Sequence, residues 1–219
     1  MTTDKSLSAR DQVLHRICVA NGGISDAATA QSEWSALARG YKRSATQPRE
    51  AVLNLLEDRL RDYDAQVIRS TPADVPRSIA ERLSARGKQR LVVPPGFPAA
   101  WLPSSVTFVL DESLTPAQLD GVDGIITAST VAIAETGTVV LQNVPGQGRR
   151  AATLVPDYHL CLVRADDVVE TVPEAMARLQ RTAGLATTFV SGPSATADIE
   201  MTRIKGVHGP RFLDVILIV

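Results

Sequence analysis

Apolar positions along the chain alternate between helical and strand periods. Leu7 to Val19 sets Val13, Leu14, Ile17 and Cys18 on one face of a short helix. Residues 21–47 are rich in Gly, Ser, Ala and Thr, with Trp34 and Leu37 as anchors, and hold no sustained period. They read as an irregular arm, which makes 1–47 an N-terminal helix and arm ahead of an α/β domain over 48–219. Pro48 opens a helix in which Ala51, Val52, Leu55, Leu56 and Leu60 recur at helical spacing, and proline suits a first turn because its missing N–H had no partner there. Strands are predicted at 66–69, 90–93, 105–110, 122–126, 138–141, 158–163, 187–190 and 213–219. Helices are predicted at 76–86, from Pro116, and at 173–181, with a helical turn at 128–134. Short β-rich runs separated by helices predict a three-layer α/β fold, a mainly parallel sheet with helices on both faces.

Charge and cysteine content narrow the function. The chain has 23 basic and 24 acidic residues and no Lys/Arg run, although Arg149-Arg150 forms a small local patch, so it lacks the electrostatic footprint of a nucleic-acid binder. No window approaches the roughly eighteen apolar residues of a membrane span. Met1 to Arg10 is too polar for a signal peptide, so a cytoplasmic location is expected. Cys18 and Cys161 are distant, form no C-x-x-C pair and have no histidine at metal-ligand spacing. Iron–sulfur clusters usually take four cysteine ligands, so no metal or cofactor is expected on this chain, and any redox role needs partner subunits to carry electrons.

Two segments carry the candidate chemistry. One is Thr127-Ala128-Ser129-Thr130 through Glu135-Thr136-Gly137-Thr138; the other runs from Ser191-Gly192-Pro193-Ser194-Ala195-Thr196-Ala197-Asp198 to Gly206-Val207-His208-Gly209-Pro210. In open parallel sheets ligands bind beyond the carboxyl ends of strands, and both segments follow predicted strands of one sheet, so they are expected to share a crevice. Thr127, Ser129, Thr130, Thr136, Ser191, Gly192, Ser194 and Thr196 are candidate ligand contacts, because hydroxyls and free amides at such turns suit an anion; the same hydroxyls can simply cap helices. Glu135 lies in an apolar context that demands pairing, hydrogen bonding or a shifted pKa, which makes it either a general base or nucleophile or a structural acceptor. His208 is a candidate proton carrier or a backbone prop. Asp198, with Glu200, can bind a cation or ligand or pair with Arg203 and Lys205. His15 and His159 have no metal-spaced partners. The nucleophile-elbow, dinucleotide and P-loop patterns are missing, which argues against the common hydrolase, nicotinamide and nucleotide-triphosphate enzymes.

Thr127 to Leu141, Thr153-Leu154-Val155-Pro156-Asp157-Tyr158-His159, Ser191 to Glu200 and Gly206-Val207-His208-Gly209-Pro210 together resemble the LUD-domain family. The resemblance implies a fold similar to the sugar-phosphate isomerase and CoA-transferase superfamily and to formyltetrahydrofolate cyclo-ligase. It also implies a three-component system that oxidises L-lactate to pyruvate, with iron–sulfur clusters in sister subunits. One sister LUD protein carries a cysteine-rich ferredoxin-like region. With two cysteines in all, this chain looks like the clusterless subunit, binding an organic acid or a partner. The alternative is a free-standing enzyme on this fold that uses Glu135 toward a phosphosugar, folate or acyl-CoA.

Overall fold

The computed structural model describes residues 8–23, 26–197, 203–206 and 208–219. The chain divides into two units, 1–41 and 42–219. In the first, α1 (Ala9–Ala20) occupies the stretch whose period predicts it, and Ser8 accepts the Asp11 amide at its start. Within the segment expected to be irregular, α2 (Ala27–Ala36) is helical. No apolar stripe announces it. It rests on alanine propensity and on Asp26, whose carboxylate accepts the Ala28 and Thr29 amides at 2.9 and 3.0 Å.

The second unit runs α3 (Arg49–Asp62), β1 (Gln66–Ser70), α4 (Val75–Ala85), β2 (Arg90–Val93), β3 (Thr107–Leu110), α5 (Pro116–Asp120) and β4 (Gly124–Ala128). It continues with β5 (Val131–Ile133), β6 (Thr138–Gln142), β7 (Tyr158–Arg164), β8 (Val168–Val169), α6 (Val172–Leu179) and β9 (Thr187–Val190). A hairpin of β10 (Ala195–Ala197) and β11 (Arg203–Lys205) precedes the closing strand β12 (Phe212–Ile218).

Six strands in the order β1-β12-β7-β4-β2-β3 form one sheet, every pair parallel. Side chains alternate between its faces. Tyr158, Leu160, Leu162, Ile216 and Ile218 point to one side and bury Val75, Ile79 and Leu83 of α4. Cys161, Val163, Leu213, Val215 and Leu217 point to the other and bury Val52, Leu53, Leu56 and Leu60 of α3. The result is the three-layer α/β arrangement with helices on both faces.

A second sheet, β8-β5-β6-β9, shares the α3 layer and was not foreseen. Ala132, Ala134, Val139, Leu141 and Val168 join the α3 core, while Val131, Ile133, Val140 and Val169 face Ala175 and Leu179 of α6. The predicted helical turn at 128–134 is therefore corrected to a strand. Its residues alternate between two buried faces, and the Thr130 amide donates to the Val140 carbonyl at 2.9 Å. The expectation that both chemistry-bearing segments leave one parallel sheet is corrected as well: Val190 ends β9, an edge strand antiparallel to β6 in this second sheet.

A buried charge cluster fastens α4 to the central sheet. Asp214 of β12 is fully buried and takes a forked bond from Arg86, with Nε at 3.0 Å and Nη2 at 2.6 Å. The Tyr158 hydroxyl donates to the same carboxylate at 3.0 Å, and Arg82 Nε stands 2.9 Å away without hydrogen-bond alignment. Burial first, then the Asp214 charge, raises the Tyr158 phenol, so it stays protonated as the donor.

Candidate functional site

A cavity of about 300 Å³ opens at the amino ends of β7 and β12, on the α3 side of the central sheet. Its walls come from β9 and the loop after it (Thr188 to Ala195), from the His208-Gly209-Pro210 turn, and from Arg150, Thr153, His159 and Leu213. The volume is at the lower end of the range for small-molecule sites. The expected crevice at the carboxyl ends is not where these loops meet. They reach the amino ends because Ser191 leaves an edge strand of the second sheet and because His208-Gly209-Pro210 leads into β12.

Short bonds hold the rim together. The Ser194 hydroxyl accepts the His208 amide at 3.1 Å, the Ser194 amide donates to the Pro210 carbonyl at 2.8 Å, and the Gly206 amide donates to the Ser194 carbonyl at 2.9 Å. Gly192 adopts φ +84°, and a Cβ there would stand 2.5 Å from Tyr63 Cβ, so the loop takes this path only with glycine.

His159 forms the inner wall. It is 3% exposed, and its Nε2 lies 2.8 Å from Thr127 Oγ1 on the neighbouring strand. Thr127 is opposite Cys161 in the β4–β7 register and places the same hydroxyl 3.6 Å from the Cys161 sulfur. Burial, reinforced by the nearby Arg150 guanidinium, pushes the His159 imidazolium down to about 4, so the ring is neutral at physiological pH. Burial pushes the Cys161 thiol up to about 12, which leaves it protonated and unreactive. Arg150 donates to the Thr153 carbonyl at 3.5 Å and to its hydroxyl at 3.3 Å, both long contacts. A cation, a neutral imidazole and several hydroxyls thus face one small space, a lining suited to a small anion.

Glu135 is placed elsewhere. It follows β5, its amide donates to the Glu170 carbonyl, and its half-exposed carboxylate accepts from Lys42 Nζ at 3.1 Å. Lys42 also pairs with Glu170, whose buried carboxylate takes the Thr46 and Gln47 amides at 2.7 and 3.0 Å. The Lys42 ammonium, with those two amides, holds the Glu170 carboxyl down to about 2. The Glu135 turn nevertheless touches the cavity wall through hydroxyls: Thr136 Oγ1 lies 2.7 Å from Thr138 Oγ1, which lies 2.7 Å from Ser191 Oγ.

The LUD domain family model matches residues 38–218. The chain belongs to the LUD-domain family. A "Lactate utilization protein C" of Deinococcus radiodurans is 42% identical over 181 residues, covering 81% of this chain and 84% of that one. A protein of the same name from Geobacillus kaustophilus is 28% identical over 82% of this chain and 80% of its own. A crystal structure of a "duf162 family protein" from Deinococcus radiodurans matches with a TM-score of 0.71 at 38% identity, covering 80% of this chain and 100% of that chain.

In this LUD domain, Ser191, Gly192, Ser194 and His208 come together at the cavity, and Thr127 reaches it through His159. Ser129 donates to the Leu162 carbonyl at 3.2 Å and Thr130 to Gln147 Oε1 at 2.9 Å, so both hydroxyls brace neighbouring chain. Thr196 is exposed on β10, and Asp198 lies outside the described residues. Among the described residues no group of three or more His, Cys, Asp or Glu gathers to hold a metal, and no helix is long and apolar enough to cross a membrane. Sequence reasoning passed over Arg150, Thr153 and His159 as site residues. The Arg149-Arg150 pair and the histidine beside the buried Tyr158 are visible in the sequence, but only the pairing of β4 with β7 joins His159 to Thr127, and only the folded cavity joins Arg150 to His159.

Proposed function

We propose that this LUD protein serves lactate utilization as the clusterless subunit of a lactate-oxidising system, and that it binds a small organic acid in the cavity at His159. The observation that carries the reading is the lining of that cavity, where Arg150 and hydroxyl donors surround a buried neutral imidazole. The names of the relatives supply the acid. Electron transfer falls to iron–sulfur partner subunits, because the two cysteines of this chain lie in separate units and the Cys161 thiol is buried and protonated. A free-standing enzyme built on Glu135 has less support, since that carboxylate faces Lys42 and stands outside the lining of this cavity.

The test is reconstitution. Cysteine-rich lactate-utilization subunits are purified with and without this chain, and L-lactate-dependent reduction of an artificial electron acceptor is followed. Co-purification and a rate that depends on the chain are expected. Equal lactate oxidation in its absence, with no co-purification, would remove the reading.

A further inference from the structure

β9 is the edge strand of the second sheet, and β6 is its neighbour there. The Asn143 amide donates to the Ala186 carbonyl, a pair that continues the register in which Leu141 is opposite Thr188 and Val139 opposite Val190. In an antiparallel ladder hydrogen-bonded pairs alternate with pairs that exchange no bonds. Thr188 and Val190 therefore bond β6 through their main chain, and Phe189 turns its N–H and C=O outward. The far side of β6 agrees, because Val140, opposite Phe189, gives its carbonyl to the Thr130 amide.

The cavity lies along this outward edge. Thr188 and Val190 point to one face of the sheet and Phe189 to the other, yet all three line the cavity, whereas none of the β6 residues does. A space touched by consecutive strand residues borders main chain. Exposed edges are commonly blunted by lysine, proline or a bulge; Thr187-Thr188-Phe189-Val190 has none of these, and Phe189 is 49% exposed. Beyond Val190 the strand runs into the Ser191 to Ser194 loop, and Arg150 faces the same space with its guanidinium held by contacts of 3.3 and 3.5 Å to Thr153. A guanidinium held so loosely has donors left for a carboxylate. We infer that the β9 edge docks the free C-terminus of a partner chain: its last residues add a strand parallel to β9 on the Phe189 N–H and C=O, and its terminal carboxylate enters the cavity toward Arg150. This rests on the proposal that the cavity takes a carboxylate, and it adds a protein partner that presents one and competes there with a free acid. Main-chain bonds supply affinity, and the carboxylate fixes the register and direction of the added strand, so an internal segment is not accepted.

Random heptapeptides with free C-termini, selected on the immobilised full chain, test the inference. Enriched sequences are synthesised as free acids and as C-terminal amides for isothermal titration. The acids are expected to bind at least about tenfold more tightly than the amides, the loss of a charge-assisted bond, and Arg150→Gln should bring the two level. Phe189→Pro removes an outward N–H without touching a bond to β6, a change that edge strands tolerate, and it should abolish peptide binding. Should that variant fail to fold, hydrogen exchange of the unaltered protein serves instead: the acid peptides should slow exchange at the Phe189 amide. No enriched sequence, equal affinity of acid and amide, full affinity in Phe189→Pro, or an unchanged Phe189 amide would overturn the docking edge. A dimer that Phe189→Pro dissociates, with no peptide enriched, would give the edge to a second copy and overturn it as well. The lactate-utilization reading fails separately. Peptide binding with no effect of the chain on partner-dependent lactate oxidation defeats that reading and leaves the docking edge, whereas chain-dependent oxidation with no peptide bound does the reverse.

Discussion

Gly137 rests on Arg59 of α3 so closely that a Cβ added to the glycine would stand 2.8 Å from Arg59 Cβ and 2.9 Å from its carbonyl carbon. The glycine also holds φ +57°, a conformation other residues adopt at a cost. This contact docks the Glu135-Thr136-Gly137 turn on the helix. From there the turn sets Glu135 beside Lys42 and Thr138 beside Ser191 at the cavity wall.

Gly137→Ala should therefore destabilise the second unit by about 3 kcal/mol, combining left-handed backbone strain with overpacking against main chain. Urea unfolding checks it. A loss below about 1 kcal/mol would show that α3 yields and that the turn is not pinned there.

Glu135→Gln and Glu170→Gln should separate. Glu135 is half exposed and shares Lys42 with Glu170, so its replacement should change stability by less than about 1 kcal/mol. Glu170 is buried and also accepts the Thr46 and Gln47 amides, so an amide in its place turns a donor group toward donors. The larger fall in melting temperature is expected for Glu170→Gln. If Glu135→Gln keeps its melting point but abolishes reconstituted lactate oxidation, Glu135 returns as a catalytic candidate.

The parts legible from sequence are those whose signal is local. α3 and α4 show an apolar stripe, and β7 and β12 are runs of buried apolar residues long enough to identify as parallel strands. β5 shows no polar–apolar alternation because both of its faces are buried, Ala132 and Ala134 against the α3 core and Val131 and Ile133 against α6, so its short apolar run does not distinguish strand from helix. The site was half legible for a similar reason. Ser191, Ser194 and His208 stand in one polar, glycine-rich stretch that advertises itself. His159 and Thr127 are 32 residues apart and meet only through the pairing of β4 with β7, which no local pattern encodes.

Asp214→Asn should cost about 3 kcal/mol or more. It leaves the part-buried Arg82 and Arg86 without their counter-charge and weakens the acceptor for the Tyr158 hydroxyl. Because the cluster is on the α4 face, away from the cavity, acid binding by the folded fraction should be unchanged. Calorimetric unfolding together with ligand titration makes the comparison, and a loss of affinity at full occupancy of the folded state would show that the two faces are coupled.

The last prediction follows the charge state of His159. Its folded value of about 4 is below the 6.5 of an unhindered imidazole, so between those pH values the unfolded chain binds the proton and the folded chain does not. Stability therefore rises with pH across that window and is lost as pH falls from 6.5 toward 4. From pH 7 to pH 5 the histidine should account for about 2 kcal/mol of lost stability. Glu170 acts in the same direction but mainly below 4.5, where its depressed carboxyl begins to lose its advantage. In His159→Gln the amide can still reach Thr127 but nothing titrates, so subtracting the variant's urea stability from that of the unaltered protein at pH 7, 6 and 5 isolates the imidazole and cancels the other histidines. A difference that shrinks by about 2 kcal/mol toward pH 5 is expected. One that stays constant with pH would mean that His159 titrates alike in the folded and unfolded chains, and that the cavity wall gains its charge as pH falls through about 6.5.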